Sequence, residues 1–423
     1  MITHAAVRSV TMAASRSSSS SLPRIRTLIL DFDQTLTTSD TLTTLLSASP
    51  LPGASQTFTG LTNTYITEYT RHTTSFGARN TIALELTYLS SLRSIEKRSV
   101  ERVEESGIFK GITKDGMSRA AQRVSIRHGG ELRWLMGQVL GNGGRVCIVS
   151  VNWSRCFITE VLRRVAHSTD VDEGLDVDVS RVEVYANELL TDEAGTTTGK
   201  MDRWFHKQSK VNSGDGDGGD GIVDVEVRPR SGVEGTKEEE EHGIWTADDK
   251  LRVLDFIFQQ EEEGYDTAVA TSVDTRQDAS SNIVPTVVKT QTLMLEDGEN
   301  SKKGRDKGWN VYVGDSATDL AALLFHRRID VGFVMGGEGE NKGLLEICQR
   351  HGVRVRQKRR VREGQGQGQA CQRGTADSGD TEGPGETTLI IPTLTGDRGI
   401  GPLCRVERWT ELVECLQRPD LWQ

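Results

Sequence analysis

The amino-acid sequence predicts an α/β fold: a doubly wound parallel sheet with an inserted helical cap and long disordered insertions. Short continuous apolar runs, which are typical of strands buried on both faces, alternate with segments of helical pattern. Such alternation favours right-handed crossovers and therefore a parallel sheet. The predicted strands cover residues 27–31 (TLILD), 146–150 (VCIVS), 182–187 (VEVYAN), 311–315 (VYVGD) and 329–335 (IDVGFVM).

The predicted cap fills residues 41–140, between the first and second strands. Five apolar residues of the stretch 81–106 lie close to one helical face, namely Ile82, Leu86, Leu89, Ile95 and Val103. A second amphipathic segment follows at residues 125–140. Helical character over most of this region predicts a helical cap inserted after the first strand.

The core is predicted for residues 25–40 and 141–423, interrupted by low-complexity insertions near 211–241, 261–307 and 357–387. Gly, Asp, Glu and Ser dominate these insertions and hydrophobic periodicity is absent, so they are predicted to be solvated loops. Residues 1–24 are interpreted as a disordered tail. A mitochondrial transit peptide is the alternative, since this segment contains arginines and a serine run without an acidic residue.

The first strand ends in DFDQTLT, where Asp31, Asp33 and Thr35 alternate into a tight loop. Residues two apart on a strand point to the same side, so two carboxyl groups can converge on one cation and one phosphorus atom. Phosphoryl transfer needs a nucleophile, a counter-charge for the phosphate oxygens and a proton donor for the leaving alcohol. Asp31 and Asp33 can supply the first and the third, and Mg²⁺ the second. Alone, the pattern is more often an ordinary loop, and its position after a buried strand favours the functional interpretation.

Two further residues are candidates for binding phosphate. Ser150, at the end of the second strand, can offer a hydroxyl and a backbone N–H, although a helix cap is the ordinary alternative. Lys250 lies near the start of a predicted helix, where a positive charge is unfavourable unless an anion is close by. The ordinary alternative for Lys250 is a solvated surface lysine.

The segment VYVGDSATDLAALL places Asp315 and Asp319 around the start of a helix. Two carboxylates there can hold a divalent metal directly or through water, whereas capping explains one of the acids but not both. Ligands of open parallel sheets bind at the carboxyl ends of the strands, so these acids are predicted to join Asp31 and Asp33.

In this order the motifs resemble the haloacid dehalogenase (HAD) superfamily, whose core is Rossmannoid, over roughly residues 26–335 outside the insertions. The helical cap is similar to that of its phosphoserine phosphatase-like group. The resemblance implies a Mg²⁺-dependent phosphomonoester hydrolase that works through an aspartyl-phosphate intermediate. The implied roles are Asp31 as nucleophile and metal ligand, Asp33 as general acid/base and backbone ligand, Ser150 and Lys250 as phosphate-binding residues, and Asp315 and Asp319 as metal ligands.

The expected substrate is a small phosphorylated metabolite. Asn152, Trp153, Asn187 and Glu188 resemble the thiamine monophosphate phosphatase domain of plant thiamine-salvage enzymes and related fungal proteins. The first three of these residues, with Asp40 at the cap entrance, are the substrate-side candidates. A nucleotide or phosphoserine-like substrate stays open, as does a catalytically inactive scaffold that binds partners through its acidic insertions.

Composition excludes some classes of partner. A net charge of −10 and a pI of about 5.5 argue against a nucleic-acid binder that relies on a basic surface. No apolar run approaches the roughly 18 residues that a membrane-spanning helix needs. The six cysteines show no zinc spacing, which favours reduced thiols in an intracellular compartment. A cytoplasmic location is expected, with a mitochondrial one as the alternative, and the oligomeric state is left open.

Overall fold

The computed structural model describes residues 23–166, 177–202, 206–210, 222–226, 243–271, 308–337, 339–357 and 403–418. The tail predicted for residues 1–24 and the insertions predicted near 211–241, 261–307 and 357–387 lie mostly outside the described residues. Two described parts of these insertions are regular, since residues 222–226 form a strand and residues 261–271 continue a helix. The prediction of loops is wrong there because composition obscured short regular patterns, such as the apolar–polar alternation of IVDVE.

The main sheet of the described residues has the strand order β10-β11-β9-β8-β1-β2-β3-β6-β7. The strands are β1 (Ile25–Leu30), β2 (Arg145–Val149), β3 (Val182–Ala186), β4 (Leu189–Thr191), β5 (Thr197–Met201), β6 (His206–Lys210), β7 (Ile222–Glu226), β8 (Trp309–Gly314), β9 (Val331–Met335), β10 (Val355–Gln357) and β11 (Leu403–Val406). From β10 to β3 all neighbours are parallel, whereas β6 and β7 are antiparallel. β4 and β5 form a separate hairpin.

Helices cover both faces of this sheet. They are α1 (Leu42–Leu46), α2 (Ala54–Phe76), α3 (Ile82–Ser91), α4 (Arg93–Ser106), α5 (Lys114–Ala121), α6 (Gly129–Gly141), α7 (Arg155–Ala166), α8 (Ala247–Thr271), α9 (Leu320–Phe325), α10 (Lys342–Arg350) and α11 (Trp409–Gln417). In β1, Leu28 and Leu30 join the hydrophobic cluster that contains residues of α6, α7 and α11, while Ile29 joins that of α8, α9 and α10. Burial on both faces explains the continuous apolar runs, and the predicted doubly wound parallel sheet is confirmed.

The strand order reverses at β1, because the chain continues to β2 and β3 on one side and later to β8 and β9 on the other. A ligand crevice is expected at the carboxyl ends of the strands beside such a reversal. Among the described residues no helix is long and apolar enough to cross a membrane, and every described cysteine is free.

The helices of the predicted cap differ in what they pack against. α2 packs against α4, α3 against α8 and α5 against α7, whereas α6 packs against β1 and β2. Leu132 and Leu135 of α6 belong to the hydrophobic cluster of the sheet. α6, the last helix of the predicted cap, thus contacts the sheet directly, and the cap boundary at residue 140 stays a prediction.

The β4–β5 hairpin pairs with the cap segment between α4 and α5. The Gly111 amide donates to the Thr197 carbonyl at 2.8 Å, and the Thr197 amide donates to the Ile112 carbonyl at 2.9 Å. The buried Thr197 hydroxyl also accepts from the Ile112 amide at 2.9 Å. Backbone pairing thus ties this hairpin of the core to the cap.

Candidate active site

Three of the predicted site residues directly follow strands whose ends form the crevice. Asp31 follows β1, Ser150 follows β2 and Asp315 follows β8. The register places Leu30 beside Val313, so the chains that carry the two acids leave the sheet side by side. All three site residues are buried.

Asp31, Asp315 and Asp319 form a compact acidic cluster. One carboxylate oxygen from each lies within 4.8 Å of the others. The strand ends bring the first two acids together, and the turn after β8 returns the third to the same point. Three of the four predicted metal ligands therefore meet through their side chains.

Lys250 occupies the first turn of α8, and its side chain is fully buried. Its Nζ lies 2.9 Å from Oδ1 of Asp31 and 2.6 Å from Oδ1 of Asp319. Burial disfavours the charged ammonium, but the two carboxylates outweigh burial and hold the pKa of Lys250 above its ordinary value. The alternative of a solvated surface lysine is excluded.

Both carboxylate oxygens of Asp319 accept hydrogen bonds. Its Oδ1 accepts from Lys250 and from the Tyr312 hydroxyl at 2.7 Å. Its Oδ2 accepts from the amides of Asp315 at 3.2 Å and Ser316 at 3.0 Å. Burial alone would raise the pKa of Asp319, but Lys250 and the other donors hold it below its ordinary value.

Gly314 provides the room for this arrangement, because a Cβ at that position would lie 2.4 Å from Cγ of Asp319. With both oxygens engaged, Asp319 anchors Lys250 and the turn after β8. Asp31 and Asp315 are consequently better placed than Asp319 to bind a cation directly.

The cluster fits a divalent cation. Oδ1 of Asp31 is buried, and among the described residues its ion-pair partner is the Lys250 ammonium, at 2.9 Å. Burial, followed by the charge of Asp319, raises the pKa of Asp31 well above its usual range and that of Asp315 to about 7. Three carboxylates beside one ammonium leave excess negative charge, and carboxylate oxygens are ligands that suit Mg²⁺.

Asp33 lies beside this cluster, and its carboxyl group is held by the cap entrance. Oδ1 accepts from the Thr41 amide at 2.8 Å and the Thr41 hydroxyl at 2.7 Å, and Oδ2 accepts from Nδ2 of Asn152 at 2.8 Å. Burial, followed by the charge of Asp40, raises the pKa of Asp33 to about 6. A carboxyl group that titrates near neutrality can give and take a proton, which suits general acid/base work. If Asp33 binds a metal, its backbone carbonyl would be the ligand, as the resemblance implies.

Ser150 can offer its hydroxyl but not its amide. The Ser150 amide donates to the Tyr185 carbonyl at 3.0 Å, because it extends the ladder between β2 and β3. The Ser150 hydroxyl accepts from the Asn152 amide at 3.1 Å, and no described residue accepts its proton. The predicted phosphate contact through the amide of Ser150 is therefore wrong, whereas the contact through the hydroxyl stays a prediction.

Two predicted substrate-side amides have partners within the protein. Asn152 is buried, and its Nδ2 donates to Asp33 and to the Thr41 hydroxyl at 3.0 Å. Asn187 is fully buried, donating to the Ile244 carbonyl at 3.0 Å and accepting from the Ile244 amide at 2.8 Å. The predicted substrate contact of Asn187 does not fit this arrangement, because its amide joins the end of β3 to the segment before α8.

Asp40 and Trp153 stay the predicted substrate-side residues. Asp40 is exposed, and its carboxylate accepts from the Leu42 amide at 2.9 Å at the start of α1. Trp153 is half-buried and meets Phe109 of the cap edge-to-face, with ring centroids 5.3 Å apart. Both therefore lie near the junction of core and cap.

Sequence reasoning missed two hydroxyl groups of the site. Tyr312 lies within the apolar run VYVGD. Because a buried tyrosine hydroxyl usually needs a hydrogen-bond partner, this run could have indicated a polar group nearby. Thr41 holds Asp33 from eight residues away and carries no comparable signal. The Thr35 hydroxyl donates to Oδ1 of Asp315 at 2.9 Å, which explains the threonine of the first motif.

Comparisons with known proteins give distant similarities, and no family model matches the chain. A CTO1 family protein of Schizosaccharomyces pombe is 27% identical over 172 residues, which are 40% of this chain and 58% of that protein's length. A solved structure described as a phospho-aspartyl intermediate analogue of phosphoserine phosphatase has a TM-score of 0.33 at 14% identity, with 77% of this chain and 91% of that chain covered. A HAD family hydrolase of Salmonella enterica serovar Typhi also has a TM-score of 0.33, at 13% identity, with 75% of this chain and 64% of that chain covered.

Proposed function

We propose that the protein is a Mg²⁺-dependent phosphomonoester hydrolase that forms an aspartyl-phosphate on Asp31. The observation that supports this most is the buried lysine, whose Nζ lies between Asp31 and Asp319 beside Asp315. A fixed positive charge beside a carboxylate nucleophile can bind the oxygens of the phosphoryl group that the carboxylate attacks, which is where phosphoryl transfer needs it.

In the first step a carboxylate oxygen of Asp31 attacks the phosphorus atom of the ester. The bond between phosphorus and the leaving oxygen breaks, and the Asp33 carboxyl group donates its proton to that oxygen. The products are the free alcohol and an acyl phosphate on Asp31. Asp33 is left as a carboxylate, held by Thr41 and Asn152.

In the second step Asp33 takes a proton from water as the water oxygen attacks phosphorus. The bond between phosphorus and the Asp31 oxygen breaks, which releases inorganic phosphate and restores the carboxylate of Asp31. The proton from water replaces the one that Asp33 gave to the alcohol, so the cycle is balanced.

The phosphoryl oxygens need donors throughout both steps. Lys250 supplies an ammonium and Ser150 a hydroxyl proton. Bound by Asp31 and Asp315, Mg²⁺ would supply further positive charge to these oxygens and reduce repulsion between the carboxylates.

The substrate class we propose is a small phosphorylated metabolite, with thiamine monophosphate the first to test. An exposed carboxylate at Asp40, close enough to raise the pKa of Asp33, favours a substrate that carries a positive charge. Thiamine monophosphate and phosphoserine-like compounds meet this condition better than nucleotides do. An inactive scaffold fits less well, since it gives no reason to bury Lys250 among three acids.

A metabolite panel with and without Mg²⁺ tests the proposal, together with acid trapping of labelled phosphoenzyme. Asp31→Asn should abolish both turnover and labelling, because a carboxamide is not a competent nucleophile. Asp115→Asn, at an exposed position of α5, is the matched control and should behave like the wild type. Normal turnover by Asp31→Asn, or label recovered on another residue, would contradict the proposal. No turnover of any phosphate ester by the wild type would favour the scaffold.

A further inference from the structure

Asp248 and Asp249, the two residues that precede Lys250 on α8, accept hydrogen bonds from residues of the cap. The Ser90 hydroxyl donates to the Asp248 carboxylate, and the Arg93 guanidinium donates to the Asp249 carboxylate. Ser90 lies at the end of α3 and Arg93 begins α4. Both contacts therefore come from the joint between two cap helices.

Asp249 also fixes the first turn of α8. Its Oδ2 accepts from the amides of Trp245 at 3.1 Å and Thr246 at 3.0 Å, and from the Thr246 hydroxyl at 2.9 Å. A carboxylate that caps a helix in this way holds the chain at the helix start. Its Oδ1 faces Arg93 and, more distantly, Nη1 of Arg252 at 3.6 Å.

The next residue in the chain is Lys250, whose ammonium has little freedom. Its Nζ must stay 2.9 Å from Asp31 and 2.6 Å from Asp319, so a shift of the first turn of α8 would move it away from its partners. Asp249 is itself buried, and a buried carboxylate depends strongly on its cationic partner. Removal of Arg93 would therefore disturb the helix start that carries the lysine.

We propose that Arg93 is a positioning residue for Lys250: through Asp249 it holds the first turn of α8 and so keeps the phosphate-binding ammonium in place. The functional part of this inference rests on the proposed phosphatase function. Through Arg93 the cap contributes to phosphate binding, although the cap helices lie outside the acidic cluster.

Packing on the same side of the cap supports this coupling. Tyr88 and Leu89 of α3 belong to one hydrophobic cluster with Ala247 and Leu254 of α8. The fully buried carboxylate of Glu85, also on α3, lies 3.5 Å from Nε2 of His351 at the end of α10. The face that carries the Arg93 contact is therefore packed against the core.

The test uses Arg93→Ala, Arg93→Lys and Asp249→Asn in the full chain. Arg98→Ala is the matched control, because Arg98 lies on the same helix and forms an ion pair at 3.6 Å with Glu68 within the cap. Three quantities are measured: hydrogen exchange of the amides at the start of α8, affinity for beryllofluoride in the presence of Mg²⁺, and affinity for Mg²⁺ alone.

In Arg93→Ala, exchange at the start of α8 should quicken about tenfold, and beryllofluoride affinity should fall by about 10- to 100-fold, as expected for a displaced binding group. Mg²⁺ affinity should stay equal or rise, because an ammonium that leaves the acids no longer competes with the metal. Arg93→Lys should recover part of the analogue affinity, and Arg98→Ala should match the wild type. The double variant Arg93→Ala with Asp249→Asn should lose little more than either single variant.

Unchanged exchange at the start of α8 in Arg93→Ala would overturn the inference. Equal losses of beryllofluoride and Mg²⁺ affinity would also overturn it, because they indicate general loosening and not displacement of one ammonium. Failure of the proposed function would look different: the wild type would neither bind beryllofluoride nor hydrolyse any ester, while the exchange measurement would still report the link between Arg93 and α8.

Discussion

The two carboxyl groups of the loop after β1 differ in their surroundings more than in their chemistry. Asp31 faces the ammonium of Lys250 and two other acids, whereas Asp33 turns to hydroxyl and amide donors at the cap entrance. Sequence motifs predicted Asp31, Lys250, Asp315 and Asp319 as neighbours, because Asp31 and Asp315 follow buried strands while Lys250 and Asp319 lie at helix starts. They could not predict that Asn152 holds Asp33, since no motif links the Asn152 amide to that carboxylate.

Asp33→Asn should slow both chemical steps while leaving the nucleophile intact. General acid/base catalysis is typically worth about 10²–10⁴-fold, so a loss of turnover in that range is expected. With an aryl phosphate, whose leaving group needs little protonation, phosphoenzyme should form and accumulate. Rapid-quench measurement of labelled phosphoenzyme checks this, and a variant that never becomes labelled would show that Asp33 has another role.

Stabilisation by Mg²⁺ should grow as the pH rises toward neutrality. The pKa of Asp315 is raised from 3.8 to about 7 without a metal, so the folded protein binds more protons than the unfolded chain between these values. In the presence of chelator, the free energy of unfolding therefore contains a contribution from protonated Asp315, and this contribution is lost as the pH rises through this window. Mg²⁺ replaces those protons, so the difference in Tm with and without Mg²⁺ should increase from about pH 4 to about pH 7. A pH-independent difference would contradict this assignment, and Asp315→Asn should flatten the curve.

At the scale of elements, the strands that carry the site could be predicted and the connections between layers could not. β1, β2, β3, β8 and β9 are mainly apolar runs of five or six residues, whereas β4 and β10 have three residues each and are too short to show such a pattern. The contact of α6 with β1 and β2 could not be predicted for a related reason, because an apolar helix face does not show which surface it covers.

Thr197→Val should test the pairing between the β4–β5 hairpin and the cap. The substitution keeps the shape of the side chain but leaves the buried Ile112 amide without its acceptor, which costs about 1–3 kcal/mol of unfolding free energy. Thr191→Val, at an exposed position of β4, is the control and should change stability by less than about 0.5 kcal/mol. Urea denaturation measures both, and equal effects would show that the pairing contributes little.

At the scale of the whole molecule, cap and core are not independent bodies. Leu89 of α3 shares a hydrophobic cluster with Ile29 of β1 and Leu254 of α8. The cap is also tied to the β4–β5 hairpin on another side. A cap bonded to the core at two places is expected to unfold with it.

Leu89→Ala should therefore lower the stability of the whole described structure and not of the cap alone. Truncation of a buried leucine costs about 2–5 kcal/mol, and a single cooperative transition at lower temperature is expected. Leu84→Ala, at a position of the same helix that is 40% exposed, is the matched control. Calorimetry with circular dichroism decides the matter, since two separate transitions would show that the cap unfolds on its own.

The position of β11 in the sheet bears on the order in which the chain can fold during synthesis. β11 pairs with β9 on one side and with β10 on the other, although it follows both in the chain. Until residues 403–406 leave the ribosome, no described strand pairs with β10 or covers the outer edge of β9. An uncovered edge of an apolar strand is a site for pairing with other chains. A nascent chain that already holds every residue of the acidic cluster would thus expose an apolar strand edge until residues 403–406 pair with it.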